Sequence, residues 1–182
     1  MPVQHPWHEL SPGRQLPEIV NAVVEIPKGS RTKYEIDKPS GLLRVDRLLP
    51  ASMMYPMHYG FIPQTMGKDG DPLDIMVVTA ADVQALSVME VRVIGIMHML
   101  DQGVPDEKLI GVFTGDFSVR EIRSFADLPQ HFFDELRAFF NGYKELEGKK
   151  VLVQEFQDVA HATASLHEAV ERYRAAYPKA AQ

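Results

Sequence analysis

The chain has 182 residues and a mass of 20.5 kDa, about the length of one domain and enough to bury a core. Hydrophobic residues at 45% and charged residues at 24% exclude whole-chain disorder, and the lack of cysteine excludes a disulfide scaffold, a thiolate zinc site and a cysteine nucleophile. A net charge of −6 has the wrong sign for a diffuse nucleic-acid footprint, no apolar run approaches the ~18 residues of a membrane span, and the start lacks a basic and apolar secretory signal. The expectation is a single cytoplasmic domain over 1–182 with neither nucleic acid nor membrane as a partner.

Residues 1–20 are rich in Pro and Gly without a period and read as an arm lying on the body. From Val23 to Phe113, short β-type runs alternate with Gly/Pro/Asp clusters: Val23–Ile26, Lys33–Ile36, Leu42–Asp46, Ile75–Val78, Val88–Met99 and Leu109–Phe113. Gly95 inside the long Val88–Met99 run predicts a bend or bulge of the kind that turns a barrel corner. Beyond Phe113 the period changes. Phe132, Phe133, Leu136, Phe139, Phe140 and Tyr143 recur at helical spacing behind Pro129. A second helix starts at Asp158 as N-cap, runs through an Ala-rich stretch to Tyr177 and is ended by Pro178. The fold class expected is mainly β with flanking helices (α+β), a small closed barrel followed by two C-terminal helices.

The segment Asp69-Gly70-Asp71-Pro72-Leu73-Asp74 places three carboxylates within six residues, opening onto an apolar strand. Charges so crowded repel one another unless cations sit between them; the alternative is a solvated turn, for which Asp, Gly and Pro are ordinary residues. An EF-hand calcium loop fails on register, because its sixth position is Asp74 instead of Gly and its twelfth is Ala80 instead of Glu. A second acidic group, with Asp101, Asp106 and Glu107, again lies between two strands. If the two groups face each other, Asp69, Asp74, Asp101 and Asp106 form an oxygen-only cluster suited to magnesium or manganese and unsuited to zinc. None of the seven histidines has zinc-ligand spacing, and His161 and His167 read as surface helix residues.

Lys33, Glu35 and Asp37 alternate with Tyr34 and Ile36, so they share one strand face; solvent is the reading for Asp37, while Lys33 and Glu35, in the middle of the run, could instead face a barrel interior. Arg47 could fork onto phosphate oxygens or pair with its neighbour Asp46. Tyr55 and Tyr59 flank a proline turn, and Tyr143-Lys144 ends the Phe-rich helix.

In chain order these features resemble the soluble family I inorganic pyrophosphatases. The run Asp69-Gly70-Asp71-Pro72-Leu73-Asp74-Ile75 looks like the family signature, and the likeness extends from about Val23 to the second helix. It includes Glu25-Ile26-Pro27, Lys33 to Asp37, Val45-Asp46-Arg47, Tyr55-Pro56, Tyr59-Gly60, Asp101 with Asp106 and Lys108, and Tyr143-Lys144. The resemblance implies an OB-like barrel and Mg2+-dependent hydrolysis of pyrophosphate to two orthophosphates by a metal-bridged water. Several Mg2+ would be held per subunit, with Mn2+ or other divalent ions able to substitute. Asp69, Asp74 and Asp106 would hold one magnesium, Asp74 would touch a second, Asp101 with Asp106 would hold a third, and Glu35 would support a further one. Lys33, Arg47, Tyr59, Tyr143 and Lys144 would bind phosphates, Lys108 would assist the outer cluster, Asp71 would act on the nucleophile, and Glu25 and Tyr55 would support. A homo-oligomer, a hexamer for bacterial-type members, is also implied. Gln102 departs from relatives that carry a carboxylate there, and His5-Pro6-Trp7-His8 resembles the arm of plant-type members.

Two other classes compete. An oligonucleotide-binding barrel would want exposed aromatics on a basic groove, against the net charge of −6. A phosphatase or pyrophosphohydrolase of organic esters would want a base-stacking pocket, for which the sequence offers no evident residues.

Overall fold

The computed structural model describes residues 5–50 and 52–178. Among them are the strands β1 (Ile19–Ile26), β2 (Thr32–Ile36), β3 (Leu43–Leu48), β4 (His58–Phe61), β5 (Asp74–Val78), β6 (Val88–Asp101), β7 (Val104–Phe113) and β8 (Val151–Gln157). The helices are α1 (Pro6–Glu9), α2 (Gln130–Gly142) and α3 (Val159–Ala176). Pairing runs β1-β4-β5-β7-β6, and β6 returns to β1, so the ladder closes on itself as the sequence led us to expect. Within that ring β5 and β7 are parallel, while the remaining pairs are antiparallel. The β2–β3 hairpin forms a second small sheet.

Gly95 is the expected irregularity: the β6–β7 register slips between Val93 and Gly95. A Cβ there would lie 2.4 Å from the Phe125 ring and 2.7 Å from the Gln157 carbonyl, so the bulge also admits the crossing of β8. Periodicity did not reveal β8, which extends the sheet beyond β6 and separates the two long helices instead of leaving them consecutive. Nor did it reveal β4, where Pro56 and Gly60 read as turn punctuation. Gly60 instead serves close approach. A Cβ at that position would stand 1.9 Å from the Val23 carbonyl oxygen on β1.

The apolar stripe of α2 buries Leu136, Phe139 and Phe140 against Tyr55, Tyr59, Met76, Ile94 and Ile110. On another side, Ala162, Leu166 and Ala169 of α3 pack on Val20, Val24, Ile75, Val91 and Leu109. Each large aliphatic or aromatic side chain removed from water in this way contributes roughly 1.5–3 kcal/mol. Asp158 caps α3 by accepting a bond from the His161 backbone N–H at 3.2 Å, and His161 and His167 lie on its exposed face. The arm is docked from His5 on, and its residues 1–4 lie outside the described ones. Trp7 is 1% exposed, donates from Nε1 to the Thr65 carbonyl at 2.8 Å, and packs against the rings of Tyr173 and Tyr177. Its last residues, Ile19 and Val20, already belong to β1.

Because rigid backbone occupies the space beside Gly60, Gly60→Ala is expected to cost about 3 kcal/mol or more of stability. Urea unfolding measures this, and a wild-type midpoint would contradict it.

Candidate active site

One cavity of about 230 Å³ gathers residues from across the chain: Glu25 on β1, Lys33 and Glu35 on β2, Tyr59 on β4, and Asp69, Asp71 and Asp74 from the loop entering β5. Asp101 at the end of β6, Asp106 and Lys108 on β7, and Tyr143-Lys144 after α2 complete it. The two acidic groups of the sequence therefore share one wall. Parallel pairing puts Asp74 opposite Lys108. The segment after Asp101 is a tight two-residue turn, Gln102-Gly103, with φ of 53° and 84°. Asp106 and Lys108 are thus strand residues two apart, and they project to the same face.

Lys108 is 3% exposed and donates to Asp74 at 2.6 Å, to Asp106 at 3.3 Å and to the Tyr59 hydroxyl at 2.9 Å. Burial disfavours its charge, but Asp106 and Asp74 outweigh burial and hold its pKa well above the ordinary lysine value. Burial raises the pKa of Tyr59, Tyr143 and Tyr55, so all three phenols keep their protons and can donate. Glu25 accepts the Ile36 backbone N–H at 2.6 Å, and burial, reinforced by Asp74, pushes its pKa up to about 8.

The other cations are also engaged. Lys33 pairs with Glu35, and with Asp46 at 3.1 Å; Lys144 pairs with Asp101; Lys38 pairs with Asp71. Arg47 and Tyr55 do not line the cavity. Arg47 does pair with its neighbour, reaching Asp46 at 2.6 Å and also Glu147 at 2.7 Å, and lies over the Tyr143 ring at 5.7 Å. The Tyr55 ring packs 5.6 Å from that of Tyr59. Asp37 stays outside, bound to Ser40 and Arg44.

The sequence reading passed over Lys38 and Glu147. Lys38 sits in an exposed turn and Glu147 in an exposed 3-10 helix, Glu145–Glu147, where charged residues are unremarkable, and only the folded path brings them to Asp71 and Arg47.

Seven carboxyl groups and four ammonium groups line the cavity. Even with Glu25 protonated, its lysines leave negative charge unbalanced. One oxygen of Asp101, Oδ1, is buried with no hydrogen-bond partner. An all-oxygen donor set with an orphaned buried carboxylate oxygen fits a hard divalent cation such as Mg2+. Among the described residues the carboxylates do not close into a cage of three; Lys108, Lys144 and Lys38 stand against them.

Comparison with known proteins identifies the family. Residues 22–174 match the family model for inorganic pyrophosphatase. A soluble inorganic pyrophosphatase of Oryza sativa subsp. indica is 43% identical over 171 residues, covering 94% of this chain and 80% of its own. Soluble inorganic pyrophosphatase 2 of Chlamydomonas reinhardtii is 42% identical, covering 95% and 90%. The crystal structure of the Thermus thermophilus inorganic pyrophosphatase superimposes with a TM-score of 0.89 at 38% identity, over 93% of this chain and 99% of that one. The strand ring with its carboxylate-lined cavity is therefore that of a phosphoric-anhydride hydrolase. The chain belongs to the inorganic pyrophosphatase family.

Because the folded pKa of Glu25, about 8, lies above its ordinary 4.5, the folded chain binds that proton more tightly than the unfolded one. The stability contribution is full below about 4.5 and is lost as pH rises to about 8. Glu25→Gln removes it. In chelator, the melting temperature of the wild type should fall relative to that of Glu25→Gln between these pH values, and a constant gap in calorimetry would contradict this assignment.

Proposed function

We propose that this cavity hydrolyses inorganic pyrophosphate to two orthophosphates with the help of Mg2+, with Asp71 accepting the proton of the attacking water. The observation that carries this reading is the uncompensated carboxylate wall facing a rim of lysines and neutral phenols in one small cavity. Pyrophosphate carries about three to four negative charges near neutral pH, and a second anion approaching it is repelled unless both are neutralised. Divalent cations, when bound, supply that neutralisation and lower the pKa of an attacking water from 15.7 towards ~7.

The chain's own residues divide the remaining work. Asp69, Asp74, Asp101, Asp106 and Glu35 would hold the cations. Lys33, Lys144, Tyr59 and Tyr143 line the cavity and bind phosphate oxygens, the lysines with charge and the phenols as hydrogen-bond donors, while Arg47, outside the lining and over the Tyr143 ring, would have to leave Asp46 and Glu147 to join them. Lys108 pairs with Asp74 and Asp106 and would be free to turn to phosphate if cations were held by those carboxylates. Tyr55 supports Tyr59 through ring packing, and Glu25 ties β1 to β2 through the Ile36 N–H. Asp71 sits between Gly70, with φ of 84°, and buried Pro72, so its backbone is held while its carboxylate faces the cavity. Exposed Leu42, Val45 and Leu48 near or on the β2–β3 hairpin favour self-association, and we infer a homo-oligomer, a hexamer, working in the cytoplasm. Sedimentation velocity tests that state.

Phosphate release from Mg2+-pyrophosphate should exceed release from a nucleoside triphosphate, with no binding of single-stranded DNA; preference for the triphosphate or tight DNA binding would point to one of the competing classes. Asp71→Asn should lower turnover by about two to four orders of magnitude with unchanged circular dichroism. Near-wild-type turnover would refute the assigned role. Calcium in place of magnesium should inhibit, because a larger ion with looser coordination misplaces the water, and equal rates with the two ions would count against this geometry.

A further inference from the structure

The N-terminal arm carries a connection into the cavity that the assigned chemistry does not use. His5 lies 33 residues before Lys38 in sequence, yet its Nε2 is 2.7 Å from the Lys38 carbonyl oxygen. A carbonyl only accepts, so the proton is on Nε2, and Nδ1 is buried with no partner. Lys38 in turn reaches into the cavity and pairs with Asp71. We propose that the arm is part of the catalytic apparatus: His5 holds the turn bearing Lys38, and Lys38 is a positioning residue that orients the Asp71 carboxylate. This rests on the reading of Asp71 as the group that accepts the proton of water.

The need for such a residue follows from how Asp71 is held. Its backbone N–H donates to Asp69 Oδ1 at 3.0 Å, and Gly70 and Pro72 set the chain on either side. None of these restrains the side-chain torsions. The carboxylate is half-exposed, and Lys38 is the cation that engages it among the described residues. The pair also favours the charged form of Lys38, whose pKa is raised chiefly by the hydrogen bond to Asp71. A proton acceptor that rotates out of line by about an ångström loses much of its effect, so a weak surface pair can matter greatly for rate while mattering little for stability.

The turn itself is clamped from two sides. Asp37 closes it internally, accepting from the Gly41 N–H at 2.8 Å through its carbonyl and from Arg44 at 2.5 Å through its carboxylate. From outside comes His5, and His5 is anchored. Its carbonyl accepts from the His8 and Glu9 N–H groups, next to buried Trp7, while His8 bonds the Tyr173 hydroxyl at 2.7 Å on α3. The arm thus links α3 to the cavity mouth through continuous contacts.

Steady-state kinetics on the full chain with Mg2+-pyrophosphate tests this. Lys38→Met should lower kcat about tenfold with KM within about twofold, and Lys38→Arg should recover most of the loss. His5→Ala should lower kcat about threefold, the double variant should be no slower than Lys38→Met alone, and all should melt within a few degrees of wild type. Lys38→Met in the Asp71→Asn background should add nothing. A wild-type kcat for Lys38→Met, a loss confined to KM, or fully multiplicative effects of the His5 and Lys38 substitutions would overturn the proposal while Asp71→Asn stays inactive. If Asp71→Asn itself retains activity, the proton-acceptor reading falls first and this inference falls with it, a result the single variant reports separately.

Discussion

Everything in the site turns on a buried ammonium group between two carboxylates. Lys108 meets Asp74 only because β5 and β7 run parallel in register, and it meets Asp106 because those two residues share a face of β7. Desolvating three charges costs several kcal/mol per ion and is offset only by close, well-directed pairing. A barrel that closed in a different register would leave Lys108 buried without partners. The strand ring and the charge pattern therefore constrain each other, and Gly60 is a place where backbone is allowed close enough for the ring to shut.

The same arrangement reconciles a protein of net charge −6 with an anionic substrate. Its lysines are paired with carboxylates, and the carboxylates lining the cavity outnumber them. Under the proposed function, cations held by the carboxylates would free those lysines for phosphate. Neutral phenols complete the rim, since burial keeps Tyr59 and Tyr143 protonated and able to donate without adding charge. Glu25, held protonated by burial and Asp74, helps limit the electrostatic strain of the crowded acids.

The arm shows how a segment with no chemical signature of its own can matter. Trp7 buries a large apolar surface against α3, which pins the chain start; the adjacent His5 then lies against the turn bearing Lys38. The packing belongs to stability, while the single hydrogen bond to the Lys38 carbonyl reaches the reaction.

What the sequence by itself determined were features whose physics is local. The crowded aspartates of Asp69 to Asp74, the alternation of Lys33 to Ile36, the Phe-rich stripe of α2 and the Asp158 cap declare themselves through charge spacing and period, because each depends on near neighbours. Gly95 declared a bulge for the same reason. Tertiary structure alone decided which distant residues meet. β4 hid behind Pro56 and Gly60 because its glycine answers to Val23 across the ladder, and β8 showed its role only when paired with β6. Lys38 and Glu147 found Asp71 and Arg47 through chain closure. Such meetings depend on long-range register, set by the packing of the whole core, and no window of neighbouring residues contains that information.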